Sequence, residues 1–108
     1  MKRGDVILIR EPNTPAGKAR PYVVIQRSST LDASAKVTGC PLTSQLRGAE
    51  GQRPLVVPTN ENGLRGPSEV QVDWIYTHRL ARVDRIIGQL DDATMRQVDD
   101  ALRRWLAL

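Results

Sequence analysis

Five short apolar runs, each closed off by turn chemistry, constrain the fold of this chain more than any other feature. "DVILI" (5–9), "PYVVIQ" (21–26), "KVTGCPL" (36–42), "PLVV" (54–57) and "EVQVDWI" (69–75) are separated by "EPNTPAGKA", "RSSTLDASA", "RGAEGQR" and "PTNENGLRGP". The separators are rich in Gly, Pro, Ser, Asn or Asp, which supply positive φ, fixed φ or local side-chain hydrogen bonds where a backbone reverses. Short apolar runs punctuated in this way predict a compact barrel or sandwich of antiparallel strands.

From Asp91 the period changes. "DDATMRQVDDALRRWLAL" places Met95, Val98, Leu102, Trp105 and Leu106 on one helical face. Asp91 or Asp92 can cap its start near the positive dipole end, and Arg103 and Arg104 sit at the negative end. Between them and the last clear strand, "THRLARVDRIIG" reads as a helical turn followed by a strand around Arg85 to Leu90. The expectation is one domain over 1–108, mainly β, with a barrel over about 1–90 and a C-terminal helix over about 91–107.

Composition removes several function classes. No apolar run approaches the roughly 18 residues of a membrane span, and the run from Val6 to Ile9 is shorter than the roughly 7-residue core of a signal peptide; a cytoplasmic protein without a membrane role is expected. Cys40 is the only cysteine and His78 the only histidine, which leaves no disulfide framework, zinc knuckle or histidine-based metal site in a single chain. There is no glycine-rich phosphate loop with its lysine and no nucleophile elbow around the serines. A Ser44, His78 and Asp73 triad can be drawn, but no spacing asks for it. Two Trp, two Tyr and no Phe argue against the aromatic-lined groove of a peptide-binding module. Sixteen Lys and Arg against twelve Asp and Glu give +4, which suits RNA, DNA or an acidic protein segment and is equally the signature of an arginine-rich composition.

One juxtaposition carries chemistry. "RPYVVIQ" (20–26) and "VTGCPLT" (37–43) have equal length and a ten-residue connection, so antiparallel pairing brings Arg20 beside Thr43 and Ser44. A guanidinium next to two hydroxyls fits phosphate oxygens; an arginine at a strand mouth next to an ordinary turn fits the same residues. In "VQVDWI", alternation sends Val70, Val72 and Trp74 toward a core and Gln71 and Asp73 the other way. Asp73 could accept a proton or steer Arg20, or be a solvated aspartate on an edge strand. Lys18, Arg47, Arg53 and Arg65 lie in loops, where they could follow a nucleic-acid backbone or simply face water.

Taken in order, "KRGDVILI", "RPYVVIQ", "PLTSQ", "NGL" with "PSEVQVDWIYT", "IGQL" and the final "MRQVDDALRRWL" resemble the MazF/PemK family of toxins from type II toxin–antitoxin systems over nearly the whole chain. The resemblance implies a small SH3-like β-barrel, a homodimer and metal-independent, sequence-specific cleavage of single-stranded RNA, with no cofactor. It assigns Arg20 and Thr43 as the catalytic pair and Ser44 as a phosphate or substrate contact, and Gln45, Lys18, Gln71 and Asp73 are expected to bind substrate alongside it. Asp73 matches an acidic position used by some members as general base, but Gln71 stands where those members carry an arginine acid, which favours Arg20 with Thr43. The implied reaction is attack of the ribose 2′-OH on the adjacent phosphorus, giving a 2′,3′-cyclic phosphate and a 5′-hydroxyl. The loop "REPNTPAGKA" (10–19) would border the RNA groove, and a cognate antitoxin with an acidic tail would fill it. The same fold family also contains CcdB-type gyrase poisons, which bind a protein and cut nothing; the Arg20, Thr43 and Ser44 set speaks against that alternative.

Overall fold

In the computed structural model, residues 1–13, 15, 18–48 and 52–108 are described. Among these residues seven strands and one α-helix follow in order: β1 (Asp5–Ile9), β2 (Arg20–Val24), β3 (Lys36–Thr43), β4 (Leu55–Val56), β5 (Ser68–Val70), β6 (Tyr76–Arg79), β7 (Val83–Gln89) and α1 (Asp92–Leu106). The strands form a sheet ordered β4-β5-β3-β2-β1-β7, with β6 also paired to β3. Every pairing is antiparallel. β3, at eight residues, is the hub: its first half pairs with β6, its middle with β2 and its end with β5.

The near-continuous apolar spelling of β1 and β2 follows from burial on both sides of the sheet. Val6, Val23, Cys40, Leu42, Val70 and Val72 pack beneath α1 with Met95, Val98, Ala101 and Leu102. Ile7, Ile9, Tyr22, Val24, Leu31 and Val37 form a second cluster on the opposite face. Because side chains alternate along a strand, neighbours such as Val6 and Ile7 feed different clusters. Burying one such side chain is worth about 1.5–3 kcal/mol, so a register slip of one residue would exchange the two sets. Where β3 crosses β2 the backbones approach closely: a Cβ on Gly39 would stand 2.6 Å from the Val23 carbonyl oxygen, so only glycine fits there without displacement.

The helix is capped as its sequence suggests. The Asp91 carboxylate accepts from the Thr94 amide at 2.7 Å, and the chain leaves α1 through Ala107 in the left-handed region. Burial, however, ends at Leu102. Trp105 and Leu106 are 59% and 46% exposed, so the expected apolar face is one turn too long. A helical period marks a face but not how far the sheet beneath it extends.

Two other expectations are corrected. The run 69–75 is not one strand: β5 ends at Val70, and the Val72 amide bonds the Val70 carbonyl while the Trp74 amide bonds the Gln71 carbonyl, both at 2.9 Å, which turns the chain. Val70 and Val72 are core, as alternation predicts, but Trp74 lies beyond the turn and is 48% exposed. The helical turn expected to begin at Thr77 starts later: Tyr76–Arg79 are β6, and the 3₁₀ turn comes after it at Leu80–Arg82. "YTHR" carries little apolar strand signature; its ladder to Lys36–Gly39 of β3 makes it a strand, a tertiary partner outweighing local propensity. No helix among the described residues is long and apolar enough to cross a membrane.

Candidate active site

The geometry of the site begins with sheet register. Tyr22 stands opposite Pro41, Val23 opposite Cys40 and Val24 opposite Gly39. Carried two residues further, the same register sets Arg20 level with Thr43, the alignment expected from the sequence. Arg20 is also opposite Ile9 of β1, and Thr43 opposite Glu69 of β5, so the pair occupies one transverse row at the end of the sheet. Pro21 donates no ladder hydrogen bond, which suits a strand that begins at this opening.

An open cleft of about 1000 Å³ lies against that row. Lys18, Arg20, Thr43, Ser44 and Gln45, all singled out from the sequence, line it together with Arg65, Arg85 and Asp84. Among the described residues, four cationic side chains against one carboxylate make it an electropositive trough. Asp84 is itself held by Arg10 at 3.6 Å and Arg85 at 3.9 Å. The Thr43 hydroxyl accepts from the Gln45 amide at 3.1 Å. That bond anchors the turn into Ser44 and Gln45 and uses the hydroxyl only as an acceptor, so the turn and a donor role at the cleft are compatible.

The Arg20 guanidinium is oriented from two sides. One Nη donates to the Gln71 side-chain carbonyl, and the other faces the Glu11 carboxylate at 3.8 Å. The second Glu11 oxygen accepts from the Tyr22 phenol at 2.8 Å, and the same phenol oxygen lies 3.2 Å from His78 Nε2. Since the phenol proton goes to Glu11, His78 donates through Nε2–H. Burial, reinforced by the hydrogen bond to Glu11 and its negative charge, pushes the Tyr22 phenol well above its ordinary range, which keeps it a donor. Burial also lowers the His78 imidazole below its usual value and favours the neutral ring.

Asp73 does not join Arg20. Arg53 holds it in a fork, Nε to Oδ1 and Nη2 to Oδ2, both at 2.9 Å, and this hydrogen-bonded partner holds the carboxyl below the usual carboxylate range. The Asp73 carboxylate and the loop cation Arg53 therefore form an ion pair of their own, and neither lines the cleft beside Arg20. Another carboxylate near the pair does similar work: buried Glu69 accepts from the Arg47 amide at 3.1 Å and the Gly48 amide at 2.9 Å, fixing the segment that follows Thr43.

Sequence reasoning missed Glu11, Tyr22 and His78 at this site, and Arg85 in the cleft. Tyr22 was detectable in principle, since residues two apart on a strand share a face with Arg20. Glu11 was not, because its approach depends on the path of the loop between β1 and β2. Of that loop, residues 14, 16 and 17 lie outside the described residues, and the expected groove border over 10–19 rests on the remainder. Among the described residues no group of three or more His, Cys, Asp or Glu side chains could hold a metal.

Comparison with known proteins agrees with this architecture. The chain is 31% identical over 108 residues, all of its length and 98% of the relative's, to a probable endoribonuclease MazF of Mycolicibacterium smegmatis. Among solved structures, the Mycobacterium tuberculosis toxin MazF-mt6 superposes with a TM-score of 0.82 at 25% identity, over 96% of this chain and 97% of that one. A MazE-MazF structure from Deinococcus radiodurans gives 0.81 at 17% identity, over 100% and 97%, a likeness of fold alone. Residues 2–106 match the family described as the PemK-like, MazF-like toxin of type II toxin-antitoxin system, and to that family this chain belongs.

Proposed function

We propose that this MazF-type endoribonuclease toxin cuts single-stranded RNA in the cytoplasm, with Arg20 and Thr43 as its catalytic pair. The observation that carries the reading is the register that aligns these two residues at the head of an electropositive cleft. The ribose 2′-OH attacks phosphorus and loses its proton, the bond from phosphorus to the 5′-oxygen breaks, and that oxygen takes up a proton. A 2′,3′-cyclic phosphate and a 5′-hydroxyl result. Arg20 meets the charge that grows on the phosphoryl oxygens, an electrostatic role, since a guanidinium is not a base under ordinary conditions. To do so it exchanges Glu11 for phosphate. Thr43 donates its hydroxyl to a phosphoryl oxygen, and Ser44, Gln45 and Lys18 follow the strand along the cleft. Gln71 positions the guanidinium.

A solved mycobacterial endoribonuclease, in complex with its cognate antitoxin, shares this fold at a TM-score of 0.78 and 22% identity, covering 100% of this chain and 94% of that one. It supports assigning this toxin a cognate antitoxin, whose acidic tail would occupy the cationic cleft, and we further assign a homodimer as the working unit. The relatives named above are ribonucleases or MazF toxins and lend no support to a gyrase-poison alternative.

The test is to incubate the pure protein with a long single-stranded RNA in EDTA and map the 5′ ends. Discrete cuts are expected, absent when the cut nucleotide is 2′-deoxy. Arg20→Ala should slow cleavage roughly 100- to 1000-fold, as loss of one donor to a developing oxyanion does elsewhere. No discrete cuts, or cuts unchanged in both Arg20→Ala and Thr43→Ala, would overturn the assignment.

A further inference from the structure

Beside the Arg20 network runs a row of rings. Trp74 and Tyr76 are stacked, with centroids 6.0 Å apart and planes 27° from parallel. Tyr76 lies 5.8 Å from His78, and Tyr22 meets both edge-on, at 6.5 Å from Tyr76 and 5.1 Å from His78. Three of the four Trp and Tyr residues of the chain, together with its only histidine, are gathered here. The row is graded: Tyr22 is fully buried, His78 half-buried, Tyr76 37% and Trp74 48% exposed. Its inner end serves the core, and its outer end offers an aromatic surface to solvent.

We propose that Trp74 and Tyr76 are a stacking platform for an unpaired base next to the scissile phosphate, and so determine where on an RNA the cut falls. The inference rests on the ribonuclease reading of Arg20. Three features tie the platform to that residue. Tyr22, which braces Tyr76 from below, is two residues from Arg20 on β2 and so on the same face of the strand. The phenol of Tyr22 donates to Glu11, which in turn faces the guanidinium. Gln71, the other partner of Arg20, is joined to Trp74 by the backbone bond that closes their turn. A base seated on the outer rings would therefore lie at a fixed place relative to the phosphate at Arg20.

The chemistry of the surroundings favours a base over an apolar peptide segment. Hydrogen-bonding groups accompany the rings, since the His78 imidazole stands next to Tyr76 and the Glu11 carboxylate accepts from Tyr22; such groups match the polar edges of a nucleobase, while its faces match the aromatic planes. An apolar side chain would satisfy the rings and strand the polar groups. Preformed stacking between Trp74 and Tyr76, together with the brace from Tyr22, removes much of the entropy cost of ordering such a surface on binding.

The experiment uses short oligoribonucleotides copied from around a mapped cut in a long phage RNA. A 2′-deoxy residue at the cut blocks turnover for binding measurements, and an abasic residue is placed at each position in turn. Trp74→Ala should weaken binding and raise KM by roughly 5- to 150-fold, the range for loss of one stacked base, whereas Trp74→Phe should recover most of it. One abasic position next to the cut should weaken binding to the wild type by the same factor and have no further effect on Trp74→Ala. In a Trp105→Phe background, the remaining Trp74 fluorescence should be quenched by the intact oligonucleotide and not by that abasic one. If Trp74→Ala and Tyr76→Ala cut the same sites with unchanged KM, or lose affinity equally for every abasic position, the platform is refuted while the ribonuclease assignment stands. If instead Trp74→Ala spares RNA cleavage but abolishes antitoxin binding or dissociates the dimer, the rings belong to a protein interface and the proposal fails. Absence of cleavage by the wild type refutes the ribonuclease reading and this one with it.

Discussion

Truncating Glu69 should reveal how firmly the segment after Thr43 is tied to the sheet. Glu69 is 3% exposed, stands opposite Thr43 in the ladder, and receives the amides of Arg47 and Gly48 on its carboxylate. Hydrogen bonds to a charged acceptor are worth about 1.5–3 kcal/mol each, so removing both and leaving the amides dry would cost about 3–6 kcal/mol. Arg47 and Gly48 are surface residues, and water can take over part of their bonding. That places Glu69→Ala near the lower bound, about 3 kcal/mol. At about 4 °C per kcal/mol for a chain of this size, Tm should fall by about 12 °C at fixed protein concentration. Glu69→Gln keeps one accepting oxygen and should cost about 1 kcal/mol, or about 4 °C. Scanning calorimetry or circular dichroism melts measure both. RNA cleavage at a temperature where both variants remain folded should show kcat falling more for Ala than for Gln, because Ser44 and Gln45 lie in the released segment. A Glu69→Ala protein that melts within about 3 °C of the wild type would refute the claim that this carboxylate carries the segment.

Other outcomes follow from the same contacts. The Asp73 carboxyl is held below its ordinary value by Arg53, so its ion pair contributes stability above the unfolded carboxylate range, near pH 4, which is lost as pH falls through the lower folded value. Urea titrations from pH 7 to pH 2 should show this loss, and Asp73→Asn should flatten the curve in that window. Cys40 is fully buried and its thiol is pushed up to about 12, mainly by burial. Native protein should resist alkylation at neutral pH, with labelling that tracks unfolding in denaturant; prompt labelling of the native state would contradict the buried position.

The legible parts of this sequence were those set by local pattern. "DVILI" maps onto β1 without an error, and the "DD" preceding the amphipathic stretch supplies the helix cap at Asp91, because apolar period and capping chemistry act over a few residues. The alignment of Arg20 with Thr43 was legible for a different reason: two strands of equal length fixed the register once they were paired. Whatever depended on a distant partner was not legible. Trp74 continues an alternation that points toward the core, and the turns at Val72 and Trp74 interrupt it. β6 has little strand spelling of its own and exists through β3. Asp73 could pair with Arg20 on sequence alone, and only the path of the chain brings Arg53 to it. Too few aromatic residues for a lined groove was a sound count, but a count says nothing of whether three of them stand together.

The contact between Arg20 and Glu11 has a consequence for which ligands can succeed at the site. Glu11 is a competitor tethered to the same molecule, and a tethered group acts at an effective concentration on the order of millimolar. Inorganic phosphate or a mononucleotide, offering a single anion, competes with it at a disadvantage. A polymer that also reaches Lys18, Arg65 and Arg85 recovers the exchange through several contacts at once. The pair thereby filters ligands by length rather than by charge: the arginine is kept occupied against the small anions around it and yields to a strand long enough to engage the trough beside it.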